Sequence, residues 1–137
     1  MASRSRLGQF LVAPAAYFRD PSRIQQYEAL SYLDSPLSYT AKTRENFLKL
    51  DALVLFGSPL DGVESPYVSP WFGTFDSNYK LVSLEERDVY AADRYGLRQM
   101  NGENRLFREN SEVLHGEYRT NERFTGEKLV KWVGMRE

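Results

Sequence analysis

The sequence predicts an α/β fold with parallel strands, and three observations predict it. A short run that is almost wholly apolar, "DALVLFG" over residues 51–57, closes on a glycine. A second strand-like run, "NRLFRE" over residues 104–109, follows later in the chain. Between them lies a segment with helical spacing. Strands alternating with helices are the pattern of parallel sheets. An apolar run of this kind suits a strand covered on both faces. Right-handed crossovers then set the two strands side by side, pointing the same way.

Taken in order, residues 22–33 carry Ile24, Tyr27, Leu30 and Leu33 at the spacing of an amphipathic helix. Residues 34–43, "DSPLSYTAKT", read as a loop, and "RENFLKL" (44–50) as a short turn into the first strand. Ser83 and Glu86 form the S-x-x-E capping box of a helix whose apolar face is Leu84, Val89, Tyr90 and Tyr95, with Gly96 as its stop. The second strand follows, then a polar loop, "NSEVLHGEYRTN" (110–121). "FTGEKLVKWVG" (124–134) closes the chain as a helix with Phe124, Leu129, Trp132 and Val133 on its apolar side. Asp51 and Asp76 read as structural, and Trp71, Phe72 and Phe75 as packing residues.

Composition narrows the chemistry. At 137 residues, 42% hydrophobic and 27% charged, the chain has the length and make-up of one globular domain. Its formal charge of −1 offers no basic face for nucleic acid. It has no cysteine, which excludes disulfides, thiolate nucleophiles and Cys-ligated zinc, and its one histidine is too few for a His-built metal site. No apolar run is long enough for a transmembrane segment. "MASRSRLGQFLVAPAA" has basic residues, an apolar run and a small-residue end, but Gln9 and Pro14 interrupt it and it makes no convincing signal peptide.

Ligands of open α/β sheets gather outside the carboxyl ends of the strands. Asp61 follows the first strand there and His115 follows the second. An Asp and a His on neighbouring strand ends have the chemistry of the orienting acid and general base of a hydrolase triad, and the order Ser…Asp…His is that of α/β-hydrolases. The same residues also fit plainer roles. Asp61–Gly62 is a common turn pair, and a lone His in a polar loop is usually solvated. The nucleophile's G-x-S-x-G elbow does not occur in the sequence.

Several motifs in one register carry a resemblance: the strand "LVLFG", the turn "PLDGV", "WFGTFD", the helix "EERDVYAADRYGL", and the terminal His115, Asn121, Trp132 and Val133. Upstream, "YFRDP" adds to it. From about Leu11 onward the chain resembles the palmitoyl-protein thioesterases, most of all their second lysosomal branch. The resemblance implies the C-terminal part of an α/β-hydrolase fold. Residues 1–49 would be part of an acyl-binding insertion, and residues 50–137 the C-terminal strands and helices with the triad Asp61 and His115. It implies a serine thioesterase acting on long-chain fatty acyl (palmitoyl) thioesters of proteins or CoA. The family uses no metal or organic cofactor and sits in the lysosomal or secretory lumen. Its nucleophile and oxyanion donors belong to an N-terminal half that this chain lacks, so the isolated chain is expected to be inactive. Leu53, Val54, Leu55 and Phe56 are then expected to be only partly covered. The alternative is a non-catalytic lipid- or partner-binding remnant of the same fold. A lipase or esterase fits less well, because "WFGTFD" and "LEERDVY" are specific to the thioesterases.

Overall fold

The computed structural model describes residues 40–133. The helix expected over 22–33, the leader-like N-terminus, "YFRDP" and most of the insertion expected over 1–49 lie outside the described residues. The first element is helix α1, Ala41–Phe47, where a loop and a short turn were expected. Its start is a local signal: the Thr40 hydroxyl accepts the Thr43 amide at 3.0 Å, which satisfies one orphan donor of the first turn.

Strand β1 spans Leu53–Gly57. A 3-10 turn over Ser69–Trp71 follows, then a short antiparallel pair, β2 (Thr74–Phe75) and β3 (Leu81–Val82). Asp76 lies in the turn between them, where its side chain accepts the Asn78 and Lys80 amides, a structural role as expected.

The helix expected from Ser83 to Tyr95 is instead several short pieces. The Ser83–Glu86 capping pair forms as expected, with the Ser83 amide donating to Glu86 Oε2 at 2.8 Å. It caps only a 3-10 turn, Leu84–Glu86. Arg87 is extended and separates this turn from α2, Asp88–Ala91. The chain then turns through Asp93 and Gly96, both at positive φ (48° and 86°), and re-enters a helix, α3, at Leu97–Gly102. Gly96 is required there twice over: its φ suits glycine, and a Cβ would lie 2.5 Å from Leu48 Cδ2. Asp93 organises the break. Its Oδ1 accepts the Arg98 and Gln99 amides, while its Oδ2 takes the Arg44 guanidinium of α1 at 2.7 Å.

Strand β4, Leu106–Asn110, pairs in parallel with β1, Leu53 opposite Leu106 and Gly57 opposite Asn110. Alternation along the two strands gives each face its own cover. Leu53, Leu55 and Leu106 turn to the main core, where Leu84, Tyr95, Leu97 and Met100 are buried. Burying an apolar side chain of this size stabilises by about 1.5–3 kcal/mol. The other face meets the closing helix. Phe56 stands edge-on to Phe124 at 5.2 Å, Phe107 packs on Trp132 at 4.4 Å, and Lys131 pairs with Glu109. That helix is π-wound over Phe124–Leu129 and continues as α4, Val130–Val133. Val133, expected on its apolar side, is exposed. Leu53, Val54, Leu55 and Phe56 are all half-buried, as expected for a strand with incomplete cover.

Candidate active site

Parallel pairing brings the carboxyl ends of β1 and β4 to one edge, and the last residue of β1 is fastened there. The Gly57 carbonyl accepts the Ser111 amide at 2.8 Å and the Ser111 hydroxyl at 3.0 Å. The Trp71 indole lies against the Gly57 Cα, so that a Cβ would fall 2.7 Å from Trp71 Cε2, and its N–H donates to the Leu55 carbonyl at 3.2 Å. Trp71 is thus a packing residue, as its sequence context indicates.

Beyond Gly57 the chain tightens into a turn. Ser58 is fully buried; its carbonyl accepts the Asp61 amide and its hydroxyl the Leu60 amide, both at 3.1 Å. The turn directs the Asp61 side chain inward, leaving it 4% exposed. Asp61 Oδ1 accepts the Val63 and Glu64 amides at 2.9 and 3.1 Å, while Oδ2 faces His115 Nδ1 at 2.9 Å. Burial pushes the Asp61 carboxyl up. The Glu64 and Val63 amides, then His115, outweigh it and hold the group below its ordinary range. Asp61 is therefore ionised at neutral pH. A carboxylate only accepts hydrogen bonds, so the facing Nδ1 carries the proton of that contact.

His115 opens a 3-10 turn, His115–Glu117. Glu117 fixes the entry to that turn: its carboxylate accepts the Leu114 amide at 2.9 Å, and its own amide donates to the Leu114 carbonyl. Val113, 2% exposed, anchors the segment from the other side. The imidazole is 40% exposed, so one residue of the pair is buried and the other is open to a reactant. Leu60 and Leu114, immediate neighbours of the pair in sequence, and Val63, two residues past Asp61, are exposed aliphatic side chains. Among the described residues no group of carboxylates and histidines could hold a metal ion, and no helix is long and apolar enough to cross a membrane.

The structure therefore brings Asp61 and His115 into direct contact. Sequence reasoning missed the residues that hold them. Ser111 had a faint signal as a small polar residue just past a strand. The Val63 and Glu64 amides were implicit in the Asx-turn pattern that begins at Asp61. Glu117 carried no local signal.

A buried carboxylate in contact with an accessible imidazole, both carried at the carboxyl edge of a parallel sheet with helices on its two faces, is an arrangement typical of the α/β-hydrolase class. The family model described as palmitoyl protein thioesterase matches residues 2–115, and the chain belongs to that family. It is 30% identical over 129 residues to Lysosomal thioesterase PPT2-B of Xenopus laevis, covering 89% of this chain and 45% of that protein. It is 35% identical over 100 residues to Palmitoyl-protein thioesterase 3 of Dictyostelium discoideum, covering 68% of this chain and 35% of that protein. A 57-residue stretch, 42% of this chain, is 44% identical to Lysosomal thioesterase PPT2 of Homo sapiens, covering 19% of that protein. The chain thus spans less than half the length of these relatives.

Proposed function

We propose that the chain is the C-terminal portion of a serine thioesterase that hydrolyses long-chain fatty acyl thioesters, with palmitoyl thioesters of proteins or CoA as substrates. Asp61 is the orienting acid and His115 the general base and acid. The observation that carries this reading is the 2.9 Å contact between Asp61 Oδ2 and His115 Nδ1, in a chain of this family. Residues 50–137 supply the C-terminal strands and helices, and residues 1–49 part of the acyl-binding insertion. The nucleophilic serine and oxyanion donors come from a segment outside this sequence, which contains no G-x-S-x-G. The half-covered β1 supports a further layer of sheet beside it. Its relatives' names support a lysosomal or other luminal compartment.

In the reaction, His115 Nε2 takes the serine hydroxyl proton as the serine oxygen attacks the thioester carbonyl carbon. The C–S bond breaks, the departing sulfur takes that proton from His115, and an acyl-serine remains. Water then attacks the acyl carbon while Nε2 accepts its proton, and the same proton returns to the serine as the fatty acid leaves. Asp61 holds the imidazole in the required tautomer and stabilises its cationic form. Leu60, Val63 and Leu114 offer apolar surface beside the reacting centre for the acyl chain.

The test is complementation. The chain alone should release no thiol from palmitoyl-CoA above background. Co-expressed with the serine-bearing N-terminal half of a related thioesterase, it should release thiol, and His115→Ala should lower that rate by roughly 10³-fold or more. The alternative, a non-catalytic lipid- or partner-binding remnant, rests on the missing nucleophile. It prevails if the complemented protein folds and binds palmitate but hydrolyses nothing.

A further inference from the structure

We infer that Ser111 and Tyr118 are positioning residues that hold His115 against Asp61, an inference that rests on the triad reading of that pair. The two loops that bear the pair leave the sheet at one fastened point. Asp61 and His115 are each four positions beyond Gly57 and Ser111, and both contacts span the same 54-residue separation. The Ser111 hydroxyl has one proton, and it is committed to the Gly57 carbonyl. The Tyr118 hydroxyl, 2.8 Å from Ser111 Oγ, is therefore the donor in that contact. This bond closes the segment from Ser111 to Tyr118 into a loop with His115 inside it.

The closure has its own support. The Tyr118 ring stands edge-on to Phe124 at 5.2 Å, and Phe124 stands edge-on to Phe56 of β1 at the same distance. Phe124 is buried and Ser111 is 2% exposed, so both anchors are fixed by packing. His115 itself is an exposed residue on a short 3-10 turn. The hydroxyl of Tyr118 thus does for the loop what the Ser111 amide does for the strands: it fixes where the chain goes on to carry its functional side chain. Neither residue touches the reacting atoms.

The single histidine makes the test direct, because every imidazole signal of the ¹⁵N-labelled chain belongs to His115. Recorded at a pH high enough that the imidazole is neutral, the wild-type Nδ1 resonance should be that of a protonated nitrogen and Nε2 that of an unprotonated one, with slow exchange of the Nδ1 proton. Tyr118→Phe keeps the ring and removes only the hydroxyl. It should shift both nitrogens toward tautomer-averaged values and speed Nδ1 proton exchange roughly three- to tenfold, with the backbone amide spectrum otherwise unchanged. Ser111→Ala should act in the same direction, and the double variant no more strongly than either single one. Asp61→Asn gives the reference for a ring with no carboxylate. Imidazole signals unmoved by Tyr118→Phe, with the wild-type pattern intact, would overturn the positioning role and leave the pair standing. A wild-type ring protonated on Nε2 instead would overturn the pair itself.

Discussion

At Asp61 the decisive feature is a carboxylate that is both buried and stabilised in its charged form. Removing its acceptors breaks three hydrogen bonds to a charged group, from the Val63 and Glu64 amides and His115, so Asp61→Ala should cost about 1–3 kcal/mol in a urea melt at neutral pH. Asp61→Asn keeps an oxygen for the Val63 and Glu64 amides but presents the wrong group to His115. The sign of the pH effect follows from the direction of the Asp61 shift. Because its folded-state value lies below its unfolded value, its ionisation stabilises the fold fully above about pH 4. That contribution is lost as pH falls through the lowered folded value. The stability gap between wild type and Asp61→Asn should therefore narrow on acidification, and a gap that widens would contradict the account. The residue identities of the pair were legible in the sequence, because an Asp and a His after two strands share one edge by topology. The tyrosine, serine and amide donors around them were not, since their roles arise only when distant segments meet.

Among the elements, the parallel pair β1–β4 was readable from the short apolar run closed by Gly57 and from the later, less apolar strand-like run that follows a helical segment. The observed bounds, Leu53–Gly57 and Leu106–Asn110, lie within three residues of those expected. The helix from Ser83 to Tyr95 was misread. Its apolar spacing is genuine, but Asp93 draws in Arg44 and two amides of α3, and that tertiary bond outweighs helical periodicity. Asp93→Ala should thus destabilise by about 1–3 kcal/mol by denaturant melt, well beyond an ordinary exposed substitution. Helix α1 was missed because its buried contacts are sparse and only the Thr40 cap marks its start. At Gly57 the cost is steric. Gly57→Ala forces a methyl onto the Trp71 indole and should cost about 1–3 kcal/mol. An unchanged melting midpoint there would mean that the indole yields freely.

For the molecule as a whole, the distribution of cover is the informative property. One face of the β1–β4 pair packs on a buried core, the other on the closing helix, and Leu53 to Phe56 of β1 are still only partly buried. Such a strand fits the interior of a larger sheet, and the chain spans less than half of its relatives. Under the proposed function, Asp61 and His115 are brought together locally by this chain, and a nucleophile would have to come from a segment outside it. The most direct test is the effect of Asp61→Asn on the complemented enzyme's steady-state kinetics with palmitoyl-CoA. An Asp that only orients the imidazole predicts a fall in kcat of roughly 10⁴-fold with KM little changed. A fall of less than tenfold in kcat, with the fold intact, would contradict the assignment of Asp61 and His115 as the working pair.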